Sequence, residues 1–429
     1  MQTIGLDFGT SNTVAMTASM SGAAEAVTFL GDRETVTSLP SVLSFLDKGA
    51  AKAPHPEVGP WAIRQFLESF GDVRFIQSLK TFAASAAFKG TGIFGVPFDF
   101  QNLMATFLTA AFERAHPQID PSQTRLVVGR PVKFAGHNPD EQLAMKRYRS
   151  AFRKLGFDDI LFVMEPVGAA FSYAQSLKQD TTILVADLGG GTTDYSLMRF
   201  ETSAGHMHAH PLGRGGIGIA GDTFDYRIID NVVLPKLGKG SQYKSMGKTL
   251  DIPPNLFSNF ARWHMLSIFK TSDDFKEMKK LLRWCLDPDQ IELFIELVEE
   301  DQGYPLYKSV SETKALLSAN EEAELTFKPL GPDFKASVSR HDFEGWIAPD
   351  LLKMNRALDS ALERAKLSED DIDRVFMTGG TSFVPAVRKM FADRFGTERI
   401  SGGNELTSVA NGLALIGARQ DAADWSVAA

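Results

Sequence analysis

The stretch "ILVADLGGGTTDYSLMRF", residues 183–200, decides the fold of this chain. An apolar run ends at Asp187, three glycines and two threonines follow, and a second alternating run begins after Asp194. Alternating apolar residues on both sides of a short polar stretch predict two strands joined in a hairpin. Glycines in the connection let backbone N–H groups approach an anion closely, and threonines add hydroxyl donors. The loop therefore suits an anionic ligand better than a plain turn would.

The same arrangement occurs near the N-terminus, in "TIGLDFGTSNTVAMTA", residues 3–18. Its connection again combines an acid, a glycine and hydroxyl groups: Asp7, Gly9, Thr10, Ser11 and Thr13. Two copies of one unusual hairpin predict an internal duplication. One copy alone could be an ordinary glycine-rich turn of an α/β protein, whereas two copies with matching acids favour two hairpins that hold one polyphosphate.

The acids of the two hairpins indicate a metal ion. The carboxylates of Asp7, Asp187 and Asp194 can only accept hydrogen bonds, so beside a phosphate they would repel it. A cation between the two groups removes that repulsion, and Mg²⁺ is commonly held by carboxylates and phosphate oxygens with several of its waters retained. We therefore expect Mg²⁺ bound mainly through water, with phosphate oxygens held by four hydroxyls, those of Thr10, Ser11, Thr192 and Thr193.

Composition restricts the class of protein. The chain has 429 residues, of which 44% are hydrophobic and 23% charged, so it is long enough for two or three globular domains. A net charge of −8 argues against a nucleic-acid or anionic membrane partner. The single cysteine, Cys285, fits a reducing compartment, and no apolar run is long enough to span a membrane. "MQTIGLDFG" does not read as a signal peptide, so a cytoplasmic location is predicted.

Several other patterns carry weaker hypotheses. "GRGGIGIAG", residues 213–221, contains G-x-G-x-x-G, but it is predicted to be a flexible loop, not a dinucleotide fingerprint. His206, His208 and His210 alternate and could bind zinc, although a solvated strand face is favoured. Residues 236–305 are predicted to be a helical insertion whose aromatic rings pack within it or meet a partner.

The motifs, taken in order along the chain, resemble those of the heat-shock protein 70 (DnaK-type) family, within the actin-like ATPase superfamily. The likeness is greatest to the YegD-type members, which keep the nucleotide-binding domain. "GLDFGTSNT" is similar to the family's first phosphate loop and "VADLGGGTTD" to its second. The resemblance extends over nearly the whole chain.

Further motifs of this series imply residue roles. "FIQSLKTF" resembles the segment that bears the catalytic lysine, which implies Lys80. "LVVGRPVKF" resembles the strand with the switch proline, at Pro131, and "MEPVGAAFSYA" resembles the segment with the active-site glutamate, at Glu165. "IAGDTFDYRI", "SETKALLS" and "MTGGTSFVPAV" resemble three segments that contact the nucleotide.

The resemblance implies ATP or ADP with Mg²⁺ as the bound cofactors. It assigns catalysis to Lys80, Glu165, Asp187 and Thr192, and the metal to Asp7, Asp187 and Asp194. It assigns nucleotide contacts to Gly9, Thr10, Ser11, Asn12, Gly189, Gly190, Gly191, Thr192, Thr193, Gly221, Asp222, Lys314, Ser318, Gly379, Gly380, Thr381, Ser382 and Phe383. The two arginines that sandwich adenine in the family are replaced here by Ala315 and Phe383, so base specificity is expected to differ.

The implied fold class is α/β, a duplicated two-lobe actin-like (ribonuclease H-like) ATPase fold with inserted subdomains and ATP between the lobes. Lobe I is expected at 1–178 together with 405–429, with a peripheral subdomain at about 39–121. Lobe II is expected at 179–404, with a helical subdomain at about 225–335. The nine residues "DAADWSVAA" after Gln420 are too few for the peptide-binding domain of a DnaK-type chaperone, so that domain is expected to be absent.

The function favoured at this stage is a slow, chaperone-like ATPase that works through a co-chaperone or client protein. Three alternatives share the fold: a sugar or acid kinase, a filament-forming ATPase, and a nucleotide sensor that does not hydrolyse ATP. Stimulation of ATP consumption by a sugar would reveal the first, and ATP-dependent pelleting would reveal the second. The sensor is favoured by Ala315 and Phe383 and opposed by Lys80 and the acids.

Overall fold

The computed structural model describes residues 2–427 of the chain except 20–22, 32–33, 50–52, 70–71, 136–137, 175–178, 204–205, 262–268, 271, 301, 332–333 and 402–406. Its internal packing divides the chain into two compact units. The first unit comprises residues 1–220, 353–382 and 387–429, and the second comprises residues 221–352 and 383–386.

The strands of the first unit before the second unit begins are β1 (Gln2–Phe8), β2 (Asn12–Ala18), β3 (Ala24–Ala26), β4 (Thr28–Leu30), β5 (Thr35–Val36), β6 (Ser38–Pro40), β7 (Val42–Leu46), β8 (His55–Val58), β9 (Val73–Gln77), β10 (Thr91–Ile93), β11 (Val96–Phe98), β12 (Ala115–His116), β13 (Thr124–Arg130), β14 (Ile160–Met164), β15 (Thr181–Leu188), β16 (Thr193–Ser203) and β17 (His206–Ile217). The second unit contributes β18 (Gln242–Ser245), β19 (Lys248–Asp251), β20 (Glu322–Thr326) and β21 (Lys335–Ser339). The chain returns to the first unit for β22 (Arg374–Thr378) and β23 (Ile400–Ser401).

The described α-helices are α1 (Gly59–Glu68), α2 (Phe100–Glu113), α3 (Glu141–Lys154), α4 (Glu165–Ala174), α5 (Gly221–Ile228), α6 (Asn255–Ser258), α7 (Asp273–Leu281), α8 (Pro288–Glu299), α9 (Gly303–Ala319), α10 (Arg340–Ala365), α11 (Pro385–Phe395) and α12 (Ser408–Gly417). Asp99 and Asp140 cap α2 and α3 by accepting hydrogen bonds from backbone N–H groups of the first turn. None of the described helices is long and apolar enough to cross a membrane.

Two sheets of the first unit repeat one arrangement. In the first sheet, ordered β14-β13-β1-β2-β3, strand β1 pairs antiparallel with β2 and parallel with β13. In the second, ordered β17-β16-β15-β22-β23, strand β15 pairs antiparallel with β16 and parallel with β22. Each central strand therefore ends in a hairpin loop beside the carboxyl end of a parallel neighbour, as the predicted duplication requires.

Helix α12 packs very closely on β1 and on α4 because small residues meet there. A Cβ atom added at Gly5 would lie 2.2 Å from the Ala410 carbonyl oxygen, and one added at Gly412 would lie 1.7 Å from the Gly168 carbonyl oxygen. Neither position can accept a side chain without moving backbone. This contact fixes β1, and with it the loop that follows β1, against the end of the chain.

An aromatic cluster fills the core beneath the first sheet. Tyr148, on α3, is fully buried and contacts the rings of Phe8, Phe100, Phe134 and Phe152, with centroid separations between 5.8 and 6.4 Å. Edge-to-face and stacked ring pairs of this kind stabilise a core beyond their buried area.

The second unit has its own aromatic core. Phe257, Phe260, Phe269 and Phe294 are buried and contact one another, with Phe260 and Phe294 centroids 5.0 Å apart. These rings pack within the insertion, whereas Trp284 is 62% exposed. The insertion was predicted to be helical, but it is not helical throughout, because strands β18 and β19 form a hairpin within it.

The prediction of a flexible loop at 213–221 is also wrong, since β17 continues to Ile217. The glycines there serve close packing of the strand on α10. A Cβ at Gly213 would lie 2.7 Å from the Ala365 Cβ, and one at Gly215 would lie 2.9 Å from the Ala357 carbonyl oxygen. The histidine hypothesis falls partly outside the described residues: His210 is exposed on β17, and the side chains of His206 and His208 are not described.

Candidate functional site

The first hairpin loop is held by its own backbone. Asp7 lies one residue before the end of β1, opposite Val14 of β2. The Gly9 N–H donates to the Asn12 carbonyl across the loop, at 2.9 Å. A Cβ at Gly9 would lie 2.3 Å from that same carbonyl oxygen, so only glycine allows this closure. Thr10 and Ser11 are thereby presented at the tip.

The second hairpin loop closes in the same way. The Gly189 N–H donates to the Thr192 carbonyl, at 3.1 Å. Here, however, Asp187 of β15 lies directly opposite Asp194 of β16 in the strand register. The Thr192 hydroxyl hydrogen-bonds the Asp194 side chain, and Thr193 donates from its hydroxyl to the Ile219 carbonyl. Thr193 is thus engaged in holding the loop.

The two loops face one cavity of about 100 Å³ in the first unit. A Cβ added at Gly191 would lie 3.4 Å from the Thr10 Oγ1, which shows how near the loops approach. The lining residues are Asp7, Gly9, Thr10, Ser11, Asn12, Val14, Lys80, Glu165, Asp187, Gly189, Gly190, Gly191, Thr192, Thr378, Gly379, Gly380 and Val409. The structure therefore brings together the predicted phosphate-loop glycines, three of the four predicted hydroxyls, two of the three acids, and the predicted lysine and glutamate; the Thr193 hydroxyl lies outside the cavity lining.

Lys80 and Glu165 form a buried ion pair on the wall of this cavity. Lys80 Nζ lies 2.7 Å from Glu165 Oε1, and the two side chains are only 10% and 6% exposed. Lys80 sits in a single 3-10 turn, Leu79–Phe82, which follows a left-handed Ser78 (φ 52°). Glu165 is the first residue of α4, directly after β14. Burial lowers the pKa of Lys80, but the interactions with Glu165, Tyr148 and Asp7 together raise it above its ordinary value. Lys80 therefore stays charged.

The three acids carry strongly raised pKa values. Burial, with the Glu165 charge second, raises the pKa of Asp7 to about 8 and that of Asp187 to about 8. Burial and then Glu165 also raise the pKa of Asp194 to about 7. Lys80 opposes each of these shifts and does not overcome them. The protein alone thus concentrates more carboxylates here than its own cations can neutralise.

These acids fit a divalent cation. Asp194 is buried, and its Oδ1 has no hydrogen-bond partner among the described residues. An unpaired buried carboxylate oxygen is costly, and a hydrated cation would satisfy it. The described residues contain no cluster of three or more histidine, cysteine or acidic side chains able to hold a metal directly. Contact through the metal's water shell is the arrangement these residues allow.

The Gly-Gly-Thr-Ser segment lies against the second hairpin. Gly379 follows β22 with φ 84°, and a Cβ there would lie 2.3 Å from the Leu188 carbonyl oxygen. The Thr381 hydroxyl donates to the Gly189 carbonyl at 2.6 Å. Thr381 and Ser382 are buried, and Gly379 and Gly380 line the cavity. The predicted adenosine loop is therefore tied to the predicted second phosphate loop.

The remaining predicted contacts lie in the second unit. Lys314, on α9, is held by the Asp225 carboxylate at 2.8 Å and by the Gly221 carbonyl at 3.1 Å. Asp222 follows at the start of α5, and burial, with Asp225 second, raises its pKa to about 6. Ser318 is half-buried on α9, and Phe383 is 43% exposed. Lys314, Gly221 and Asp222 are thus assembled around Asp225, a residue for which no role was predicted.

Three residues that line the cavity were not predicted: Val14, Thr378 and Val409. Thr378 is the last residue of β22, and its hydroxyl pairs with that of Ser408 at 2.8 Å. Its position directly before Gly379 of the predicted adenosine loop could have identified it from the sequence. Val14 and Val409 are ordinary apolar residues in sequence and gave no signal.

A larger cavity of about 540 Å³ lies elsewhere in the first unit. Strands β16 and β17 line it together with the C-terminal segment, including Met198, Leu212 and Trp425. It contains neither phosphate loop. The smaller cavity contains the buried Lys80–Glu165 pair and the two glycine loops, so the candidate site is the smaller cavity and not the larger one.

Comparison with known proteins agrees with the motif series. The family model described as "Hsp70 protein" matches residues 84–242 and 278–423. The "Chaperone protein dnaK" of Cyanophora paradoxa is 25% identical over 408 residues, which cover 90% of this chain and 55% of that protein. The "Chaperone protein HscA" of Photorhabdus laumondii subsp. laumondii is 24% identical over 418 residues, 93% of this chain and 55% of that protein.

The "Chaperone protein DnaK" of Picrophilus torridus is 27% identical over 427 residues, 97% of this chain and 57% of that protein. The chain therefore spans a little over half the length of the curated relatives it matches. The family model matches well over half of this chain. Hsp70 proteins have the actin-like two-lobe ATPase fold, so the predicted fold class is confirmed. The chain belongs to the Hsp70 protein family.

Proposed function

We propose that this chain binds ATP and ADP with Mg²⁺ and hydrolyses ATP slowly, as a chaperone-type switch that acts through a partner protein. The observation that carries the proposal is the cavity in which two glycine-closed hairpin loops meet a buried Lys80–Glu165 pair and an excess of carboxylates. Polyphosphate with a divalent cation is the ligand whose charges match this set.

The residues of the cavity divide the work of phosphoryl transfer between them. That reaction needs placed charge and a positioned water more than covalent chemistry from the protein. Loop N–H groups and the hydroxyls of Thr10, Ser11 and Thr192 hold phosphate oxygens. Lys80 supplies positive charge beside the transferred phosphoryl group and the attacking water, and Glu165 or Asp187 orients that water. Mg²⁺, when bound, neutralises phosphate charge beside Asp7, Asp187 and Asp194.

The nucleoside contacts rest on the family resemblance. They comprise Gly379, Gly380, Thr381 and Ser382, together with Gly221, Asp222, Lys314, Ser318 and Phe383. An aromatic ring at Phe383 can stack on any base, whereas paired arginine stems select more closely. We infer that GTP competes with ATP better here than in relatives with both arginines.

The switch and its partners are the finer part of the proposal. Pro131 follows β13, beside Arg130, whose Nε donates to the Pro131 carbonyl at 3.0 Å. Pro131 and Glu165 thus follow the neighbouring strands β13 and β14, and a change at the phosphates can be relayed along them. A co-chaperone or client protein would respond to that change by binding more tightly or more weakly. We also propose a YegD-type affiliation, a cytoplasmic location, and lobes at 1–178 with 405–429 and at 179–404.

Calorimetric titration with ATP and with ADP, each with Mg²⁺ and with a chelator, tests the proposal. Binding should depend on Mg²⁺, because without a cation the carboxylates repel the phosphates. Equal affinity in Mg²⁺ and in chelator would contradict it. Phosphate release under the same conditions then separates a hydrolase from a sensor that binds ATP without turnover. The sensor is the second candidate, because Lys80 is occupied by Glu165 in this structure.

A further inference from the structure

One buried tyrosine, packed against Phe8 of the strand that carries Asp7, has a hydroxyl that the described core does not use. Tyr148 is 0% exposed, and its hydroxyl has no hydrogen-bond partner in the part of the chain that the structure describes. An unsatisfied buried hydroxyl costs about 1–3 kcal/mol relative to a satisfied one. Phenylalanine would fill the same space without that cost, so the oxygen calls for an explanation.

Helix α3 holds Tyr148 next to the segment that carries Lys80. The neighbouring residue, Arg147, is buried, and its guanidinium donates to the backbone carbonyls of the segment that follows Lys80. The acceptors are Phe82 at 3.0 Å, Ala83 at 2.9 Å, Ser85 at 3.1 Å and Phe88 at 2.6 Å. Four bonds from one side chain fix the Lys80 turn and α3 relative to each other.

The ring of Tyr148 is fixed as well. Phe8 contacts it edge-on at 6.2 Å, and Phe8 follows Asp7 on β1. Phe100 stacks on it with the ring centroids 6.1 Å apart. Phe134 contacts it with an interplanar angle of 89° and a centroid separation of 5.8 Å. A ring packed on several sides cannot turn its hydroxyl away to solvent, so the oxygen is a stationary group next to the site.

Packing joins Tyr148 to both sides of the site. Phe8 links its ring to the strand of Asp7, and Arg147 links α3 to the Lys80 turn. Burial raises the pKa of Tyr148, and the cavity groups Lys80, Glu165 and Asp7 are among the charges that act on it, which agrees with this placement.

We propose that Tyr148 is a positioning residue for Lys80: its hydroxyl oxygen accepts a hydrogen bond from the Lys80 ammonium when a phosphate draws Lys80 away from Glu165. The proposal rests on the proposed function. An ammonium has three N–H donors, and in this structure Glu165 takes one of them. With nucleotide present, phosphate takes one donor and Tyr148 takes another, which aims Lys80 at the reacting phosphate. The unsatisfied hydroxyl lowers the stability of the nucleotide-free protein, but the hydrogen-bond acceptor is then already in place when nucleotide binds.

Replacement of the single oxygen tests this. Tyr148→Phe should raise the Tm of the nucleotide-free protein, leave the Kd for Mg-ADP within about twofold, and lower kcat about tenfold, which corresponds to about 1.4 kcal/mol of transition-state stabilisation. Tyr307→Phe is the matched control, since Tyr307 is also buried and donates to the Ala261 carbonyl in the second unit. It should lower Tm and leave kcat unchanged.

A second readout is the side-chain NMR signal of Lys80 in protein with ¹⁵N-labelled lysine, with Lys80→Ala to assign it. The signal should differ between the parent and Tyr148→Phe in the complex with Mg²⁺ and a non-hydrolysable ATP analogue, and agree without nucleotide. A hydroxyl without a role would give a raised Tm with parental kcat and identical Lys80 signals, and that result would overturn the proposal alone. If the parent binds no nucleotide by calorimetry, the proposed function fails and the role of Tyr148 fails with it.

Discussion

The two hairpins share a backbone and differ in charge. In each, a glycine N–H closes the loop on a carbonyl three residues later, Gly9 on Asn12 and Gly189 on Thr192. In the first, Asp7 faces Val14, whereas in the second Asp187 faces Asp194. The two copies thus share the loop backbone and differ in the residue that faces the acid.

We propose that this difference gives the two hairpins separate tasks. Two facing carboxylates make the second hairpin the stronger candidate site for a hydrated cation. The first hairpin contributes one carboxylate, while Lys80 and Glu165 act on the acids of both hairpins. Variants at Lys80 and in the second hairpin should therefore separate turnover from metal-dependent binding.

The largest effect is expected from Lys80→Ala. Loss of a charge that is needed mainly in the transition state should lower kcat by about 10²–10³, as for other electrostatic stabilisers, while nucleotide affinity changes far less. Steady-state phosphate release with a parallel titration measures both. Hydrolysis at the parental rate would show that Lys80 is not the catalytic lysine.

Asp187→Asn should affect the other side of the comparison. Loss of one facing carboxylate weakens the hold on the hydrated cation, so ATP affinity in Mg²⁺ should fall about tenfold to a hundredfold, the range for a charged hydrogen bond of about 1.5–3 kcal/mol. Hydrolysis should fall as well. Affinity in chelator should stay level or improve, since a phosphate-repelling charge is gone. If Mg²⁺ raised the ATP affinity of this variant as much as that of the parent, the tasks assigned to the two hairpins would be wrong.

The effect of Mg²⁺ should depend on pH. Asp7 and Asp187, with pKa values raised to about 8, and Asp194, at about 7, hold more protons in the folded protein than in the unfolded chain. Stability of the metal-free protein should therefore fall as pH rises from about 4 to about 8. Mg²⁺ needs charged carboxylates, so it should raise Tm more at about pH 8.5 than at about pH 6. Thermal scans with Mg²⁺ and with chelator measure this, and Asp187→Asn should reduce the difference between the two pH values. A larger shift at the acid pH would contradict it.

The smallest effect is expected at Phe383. Its ring is 43% exposed, so Phe383→Ala should weaken ATP binding only a few-fold, below the full stacking contribution of about 1–3 kcal/mol per base. ADP and GDP should be weakened alike, because stacking is indifferent to base edges. Competition titrations measure both. Unchanged affinity for either nucleotide would remove Phe383 from the nucleoside contacts.

Sequence reasoning reached the fold and the loops because their signals are local. Asp187, the glycines and Thr192 lie within one short stretch, and the loop chemistry follows from residue type. The duplication was visible because the stretch recurs around Asp7. Family resemblance then supplied Lys80 and Glu165, which come from distant segments and which the structure joins at 2.7 Å.

The rest depended on packing between distant segments. Gly213 and Gly215 looked like loop residues, because the sequence alone does not show that α10 lies close against that strand. Tyr148 looked like a core aromatic, and only the fold shows that its buried hydroxyl has no hydrogen-bond partner among the described residues. Asp225 was missed because its partner, Lys314, is far away along the chain.

The close fit of α12 on β1 has a consequence for biosynthesis. Strand β1 leaves the ribosome long before the helix that packs on Gly5, Ser408–Gly417. The start of that helix is also joined to the end of β22 by the Thr378 and Ser408 hydroxyls. Contacts between segments so far apart form late and slowly, and incomplete chains expose apolar strands in the meantime. A nascent chain therefore cannot complete the cavity wall that Val409 forms until translation has passed this helix, and until then its exposed apolar strands make it prone to aggregation.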